Sequence, residues 1–443
     1  MRSYLILGMC ILFLFQYFVQ IDWLQVVVVS LSLVAFLFSA RHASPMIRLL
    51  GIIMMSAGMV IQWNKGTGIN GIGDGIFLTL PLISLIVLVP LISIPLKHGG
   101  WFRSISLFLH NLMHQPRKLY AGITGTLFLV TPILNLGSIR IMNDFLEDLK
   151  LPSTLSAKGY IVGFSTATIW SPYFASVSLI LYYLNVPFKE FLFYGFGFSL
   201  FMLLTGNVMF YFWEKRHPLQ IAHSSKVPLE KEQRSHLFKL VLFVTSLMST
   251  CLLIEHITGW SMIVIVCLMS LLIPFLFGLF SRVWKGMLPF LKDYRDRTVS
   301  MVNNEIVLFM SAGMLAFALK GTEAMNGVSL FLNGLASQSF FLVAAAIILI
   351  VFSLTYVGIH QIAVVGALAM QLNGPDLGMS NNALAMILLL SWAISTAVSP
   401  FSGLNLMVSR FVRLSGNQVG LRMNGIYLLA ITFIGIAIIS FIQ

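Results

Sequence analysis

The chain has 443 residues, 58% hydrophobic and only 9% charged, with a mean hydropathy of +0.92 and a formal net charge of +12. Soluble domains carry about a quarter charged residues, so the composition excludes a water-soluble fold and places the chain in a lipid bilayer. No GxxxxGK[ST], HExxH or GxSxG pattern occurs, which leaves ATP-driven pumping and familiar hydrolytic chemistry without a warrant.

From the N-terminus, the apolar run Tyr4–Val19 shows no small-x-small cleavage site before Asp22 and leads at once into a second run. It is therefore expected to remain as a helix and not to act as a signal peptide. Spans are expected at 4–19, 24–40, 49–63 and 76–95, each near the ~20 residues that cross the hydrocarbon core. Residues 1–75 read as peripheral helices. Trp101–His114 (WFRSISLFLHNLMH) places its apolar residues on one helical face and should lie in the interface. The stretch 119–150 reads as a re-entrant hairpin with a polar tip, TPILNLGS (131–138). A span at 157–184 is interrupted by STATIWSPYF (165–174), and another follows at 191–213.

The polar stretch Glu214–Lys239 reads as an inner linker, followed by spans at 240–256 and 260–281. Ser281–Asn303 alternates aromatic and charged residues and should lie on the inner surface. A span at 303–319 and a short segment at 325–335 precede a second hairpin, 337–372, with tip SLTYVGIHQ (353–361). The last spans are 380–409, interrupted by STAVSPF (395–401), and 425–442. Cys10, Cys251 and Cys267 lie in apolar segments without metal-ligand spacing and read as small lipid-phase residues.

With the N-terminus inside and both hairpins leaving on the side they entered, every Lys and Arg except Lys65, Lys189 and Lys320 falls on the inner side. Counting the second hairpin as one crossing would move Arg410, Arg413 and Arg422 outside. Counting the first so would move Lys215 and Arg216. The basicity is thus topological, no nucleic-acid partner is expected, and the expected location is a bacterial cell membrane with a cytoplasmic N-terminus.

The expected fold is an all-α polytopic membrane protein with about eleven transmembrane helices, two re-entrant hairpins and two broken helices. Residues 76–213 form a first repeat and 303–443 a second, joined by 214–302. Their elements follow one order in opposite orientations, the inverted repeat of many secondary transporters. Proline inside a helix removes a backbone hydrogen bond, and in lipid each freed group costs several kcal/mol unless protein or a water-filled cavity satisfies it. Ser165, Thr166, Thr168 and Ser171, with Ser395, Thr396, Ser399 and Ser402 opposite, add hydroxyls to the freed carbonyls. Together they suit a hard cation such as Na⁺, or donate hydrogen bonds to an anion. The plainer alternative is a pair of proline kinks relieved by local Ser and Thr bonds.

At the tips, Asn135 and Ser138 offer donor and acceptor groups. His360 is the only one of nine histidines placed deep in the membrane. It either titrates and couples protons or serves as a neutral donor fixed by Gln361. Arg140, Asp144 and Asp148 read as a salt-bridged helical face, the alternative being that Arg140 grips a carboxylate. Glu305 reads as an acid at a helix N-terminus or a proton relay, and Asn207 as a bond to a neighbouring helix.

Two inverted halves with two hairpins and two broken helices resemble the ion transporter superfamily over about residues 76–442. That group includes divalent anion–sodium symporters, citrate carriers, arsenite exporters and a class of sodium–proton antiporters. The resemblance implies elevator-type movement, and Asn135 and Ser138 in LNLGS stand where the symporters carry a Ser-Asn-Thr motif. The second tip, VGIHQ, has His360 and Gln361 and no Asn. Neither break carries Asp or Glu, which favours an anionic or neutral substrate over a cation antiporter. The expected function is secondary transport of a small organic anion coupled to Na⁺ or H⁺, with no cofactor and no enzymatic activity. Export of a toxic oxyanion or drug-like compound is the alternative within the class, and a membrane enzyme or lipid-linked saccharide handler lies outside it. A homodimer is compatible with all of these.

Overall fold

The computed structural model describes residues 2–147, 151–219 and 231–442. Three helices lead: α1 (Arg2–Val19), α2 (Asp22–His42) and α3 (Pro45–Asn64). The fourth span runs from Gly68 to His98, longer than the expected 76–95, and is itself interrupted. It comprises α4 (Gly68–Phe77), α5 (Leu80–Leu88), a 3₁₀ turn (Val89–Ile92) and α6 (Ser93–His98). Pro81 and Pro90 sit in the first turns after the interruptions, where a missing amide costs least. Residues 68–75 therefore belong to this span and not to the peripheral segment.

The short amphipathic α7 (Trp101–Asn111) precedes the first hairpin, α8 (Pro116–Leu134) and α9 (Gly137–Leu146). The first broken helix is α10 (Ser153–Trp170) with α11 (Ala175–Tyr183). Then come α12 (Phe188–Arg216), α13 (Lys231–Thr258) and α14 (Met262–Phe280). The aromatic and charged segment after α14 forms α15 (Trp284–Asp293), a π-helical turn (Tyr294–Thr298) and α16 (Val299–Met301), bent by 50° from α17 (Asn303–Leu319). After α18 (Glu323–Ala336) the second hairpin is α19 (Phe340–Tyr356) and α20 (Gln361–Gln371). The second broken helix is α21 (Asn381–Val398) with α22 (Gly403–Val412), and α23 (Asn424–Ile439) closes the chain. Among the described residues, ten segments are long and apolar enough to cross a bilayer, or 11 if the bent pair counts as one span.

The broken helices form the centre. The most apolar stretch of Ser153–Tyr183 is 100% buried and that of Asn381–Val412 89%, against 22% for Pro45–Asn64. Packing partners recur between the halves. α8 packs on α10 and α12, and α10 on α12; likewise α19 packs on α21 and α23, and α21 on α23. α11 packs on α20 and α21, as α22 packs on α9 and α10. The first hairpin approaches α10 through Gly159 and Gly163. A Cβ on Gly163 would stand 2.7 Å from Leu127 Cβ, the close approach that small residues four apart allow in lipid. Gly51 brings α3 against α17 in the same way, with Val307 2.2 Å from a Cβ placed there. The N-terminal helices are thus peripheral in burial yet packed directly on the second half.

Side-chain contacts sort the chain by end. At the basic end Arg117 Nε donates to Glu214 Oε2 (2.6 Å), Arg295 Nη1 to Tyr4 Oη (2.5 Å) and Ser44 N to Asn304 Oδ1 (3.0 Å). At the other end Lys65 Nζ donates to Lys320 O (2.5 Å), and Glu255 accepts the amides of Phe188 (2.8 Å) and Lys189 (3.0 Å). Both ends of the first hairpin lie at the basic end, where Arg117 meets Glu214 and His110 Nε2 meets Phe145 O at 3.1 Å. The second hairpin ends at the opposite side, where Gln371 Oε1 accepts from Gly321 N at 3.4 Å. Glu305 stands in the first turn of α17, and Asn207 Nδ2 donates to Thr124 Oγ1 of α8 at 3.1 Å. No ion pair joins Arg140 to Asp144 among the described residues; Asp148 and residues 220–230 of the inner linker lie outside them. Single cysteines at Lys65, Lys189 and Lys320 are expected to react with an impermeant thiol reagent on intact cells, and cysteines at Arg216 and Arg295 only after permeabilisation. Labelling of Arg295→Cys from outside would reverse this orientation.

Candidate functional site

Both breaks follow one local design. α10 ends at Ser171 and α11 starts after Phe174; α21 ends at Ser399 and α22 starts after Ser402, so the same interval relates both pairs. Ser171 (φ −95°, ψ 127°) and Ser399 (φ −61°, ψ 122°) are extended, as the residue before proline prefers. Each serine Oγ accepts the amide two residues on, Tyr173 N or Phe401 N, both at 3.3 Å. Three residues before each serine, a threonine carbonyl accepts a hydroxyl from beyond the break. Ser176 Oγ donates to Thr168 O at 2.7 Å, and Ser402 Oγ to Thr396 O at 2.5 Å.

Most remaining hydroxyls turn back on their own helix. Ser165 Oγ donates to Ile161 O (2.7 Å), Thr166 Oγ1 to Gly163 O (2.9 Å), Thr168 Oγ1 to Ser165 O (2.7 Å) and Ser395 Oγ to Trp392 O (3.0 Å). A hydroxyl that donates in this way keeps only acceptor capacity. The second break has a further partner that sequence reasoning missed. Asn405, fully buried, sends Nδ2 to Ala397 O (3.2 Å), Val398 O (3.2 Å) and Gly416 O (3.0 Å). Its signal was an amide in the otherwise apolar run after STAVSPF, since polar side chains at membrane depth are costly without a task.

The two hairpin tips converge on this second break. In the first tip Ser138 Oγ donates to Asn135 O (2.6 Å) and lies 2.9 Å from Thr131 Oγ1. Asn135 adopts φ 50°, ψ −137°, and its Oδ1 accepts Leu136 N at 2.9 Å. That conformation is uncommon for a residue other than glycine. Leu136 then abuts α22, 3.0 Å from a Cβ placed on Gly403. In the second tip, Thr355 O accepts Ser399 Oγ (2.8 Å), and Gln361 Nε2 points at Thr396 Oγ1 (3.5 Å). His360 Nδ1 accepts Ile362 N at 3.3 Å, which leaves a neutral ring with its proton on Nε2.

The electrostatics follow from the same arrangement. Three helices, α9, α20 and α22, begin at the tips and the second break, at Gly137, Gln361 and Gly403. Each helix start carries roughly half a positive charge, and the amides of Gln361 and Gly403 have no acceptor among the described residues. No Asp or Glu occurs in 131–138, 353–361 or 395–405. The place is therefore rich in donors and positive in potential, with Thr396 Oγ1 and the Asn135 and Gln361 carbonyls as acceptors.

Ser165, Thr166, Thr168 and Ser171 do not join this cluster directly; their connection is the packing of α10 on α21 and α22. The first break instead borders a cleft of about 380 Å³ at the end opposite the basic one, lined among others by Pro172, Ser178, Asn185, Lys189, Glu255 and Trp260.

No protein-family model and no curated protein matches the chain. Among solved structures it is similar to the crystal structure of the Alcanivorax borkumensis YdaH transporter, described as having an unusual topology. The TM-score is 0.52 at 14% identity, over 82% of this chain and 85% of that one. At that identity the likeness is one of fold.

Replacing Asn405 with Leu strands the carbonyls of Ala397, Val398 and Gly416. The expected loss is about 1–3 kcal/mol, read as a lowered unfolding midpoint in detergent, while Ser409→Ala, which removes only the bond to Asn405 Oδ1, should cost less.

Proposed function

We propose that the protein is a secondary carrier of a small organic anion, bound at the second break between the two hairpin tips. The observation that carries this reading is the convergence of three helix N-termini, one of them capped by His360, on segments that carry no carboxylate of their own. Helix starts bind anionic groups through free amides and the helix dipole, and broken helices in transporters present them to substrate near the bilayer midplane. The fold likeness to a transporter supports the class. Na⁺ or H⁺ supplies the coupling. Thr396 Oγ1 and the carbonyls around it offer oxygen ligands of the kind Na⁺ takes, and His360 is the group that would carry a proton. The hairpins and broken helices would move as one body relative to the outer helices, in the elevator manner that the layout suggests. Export of an oxyanion would use the same donors and differs only in direction and substrate.

Purified protein screened by thermal shift against mono-, di- and tricarboxylates, oxyanions and matched amines, in Na⁺ and in choline, tests this. An anion at 100 times its Kd should add about 2.7 kcal/mol of apparent stability, and amines should add none. With a ligand found, Asn135→Ala and His360→Ala should each weaken binding, and their double variant should depart from additivity by roughly 0.5–3 kcal/mol. Stabilisation by amines alone would sink the anion reading. If Na⁺ couples, Thr396→Val should weaken the Na⁺ dependence more than the maximal rate, and Thr166→Val, whose hydroxyl is committed to Gly163, should do less.

A further inference from the structure

A second cavity, of about 530 Å³, lies at the basic end between α10, α12 and the start of α23. It shares no residue with the tips or the second break. Its charged side chains are Lys158 and Arg216, with His217 beside them and no acid in the lining. Glu214, the acid on this end of α12, is turned away and paired with Arg117 at 2.6 Å. Lys158 Nζ donates to Met423 O and stands 5.4 Å from the centre of the Trp213 ring. No carboxylate pairs with Lys158 or Arg216 among the described residues.

The walls are aromatic. Tyr120 and Phe210 stack at 3.8 Å, and Trp213 stacks on His217 at 5.1 Å. Two of the lining side chains, Phe212 (58% exposed) and Ile426 (77% exposed), are apolar and open to the outside, where the solvent of a membrane protein is lipid. A cavity whose cations have no carboxylate partner among the described residues, and whose lining includes exposed apolar side chains, has the two-part chemistry of a phospholipid.

We propose that this groove binds an anionic phospholipid. The phosphate is held by the point charge of Lys158 and the guanidinium fork of Arg216, and the acyl chains leave across Phe212 and Ile426. A soluble anion would satisfy Lys158 and Arg216 but gives no reason for exposed apolar side chains such as Phe212 and Ile426 in the lining. Basic pockets between transmembrane helices on the positively charged side are suited to such headgroups, each cation near the surface contributing roughly a fivefold preference.

Trp213 makes the site observable. The detergent-purified full chain is titrated with phosphatidylglycerol bearing brominated acyl chains, which quench nearby indoles, and in parallel with brominated phosphatidylcholine and with glycerol 3-phosphate. The fluorescence component that Trp213→Phe removes should be quenched by phosphatidylglycerol in preference to phosphatidylcholine by roughly 25-fold, about fivefold for each of the two cations. Arg216→Gln, at an exposed position, should reduce that preference about fivefold, and the Lys158→Gln/Arg216→Gln pair should abolish it. Lys158→Arg keeps the charge and should retain the preference, which separates loss of charge from distortion at Met423. Equal quenching by the two lipids overturns the proposal, as does a preference that survives the double substitution. Relief of the quenching by glycerol 3-phosphate would show a site for a soluble anion and overturn it too.

Discussion

Everything in this fold turns on the carbonyls left open where two helices stop inside the membrane. A helix end exposes its last carbonyls and first amides, and at bilayer depth no water meets them, so each costs several kcal/mol until protein does. The chain answers with short polar side chains placed one turn away. Ser176 closes Thr168 O and Ser402 closes Thr396 O. Ser199, from α12, closes Thr166 O at 2.5 Å, so the span that follows the first break is tied to it by hydrogen bonding as well as by packing.

That need for close partners determines where glycine appears. Gly416 and Gly420 follow the second broken helix, and a Cβ on Gly420 would stand 2.8 Å from Val398 O. Only a residue without a side chain lets the backbone come that near the opened carbonyls, which Asn405 then joins. Gly195 lies against the first break similarly, its Cβ position 3.2 Å from Ile169 O. Small residues here follow from the breaks more than from any general preference for tight helix packing.

Much of this was legible from residue types alone. Long apolar runs located the spans, Ser-Pro located the breaks, and the distribution of Lys and Arg required the hairpins to return to the side they entered. The exact correspondence between the breaks was not legible. Matching STA to STA pairs Ser165 with Ser395, whereas the structure matches Ser-Pro to Ser-Pro and so pairs Thr168 with Thr396. Carbonyl closure acts at a fixed distance from the proline, and the hydroxyls further back merely donate along their own helices. The direction in which a hydroxyl donates is a matter of rotamer, which composition cannot express. The interruptions in Gly68–His98 escaped notice because Pro81 and Pro90 sit at helix starts, where proline leaves little trace in an apolar run. Asn135 and His360 were legible as tip residues; that both tips gather at one break was not, since it depends on how the halves interlock.

The two breaks share a frame but differ chemically, and the difference lies in a few substitutions between the repeats. Counted from the Ser-Pro pair, the first copy has Phe174, Ala175 and Val177 where the second has Ser402, Gly403 and Asn405. In the first copy the space is filled by rings: Trp170 stacks on Phe128 at 5.3 Å and meets Phe196 at 5.3 Å, while Tyr173 reaches Cys251 of α13 at 3.0 Å. Such packing fastens the first break to its surroundings and leaves few polar groups to offer. In the second copy Ser402 caps α22, Gly403 leaves an amide bare and admits the first tip, and Asn405 holds the carbonyls so that the amide side stays free. An inverted repeat would by itself create two equivalent cavities. Replacing three apolar positions with Ser, Gly and Asn is enough to turn one of them into the polar member of the pair, and it is toward that one that both hairpins deliver their helix starts.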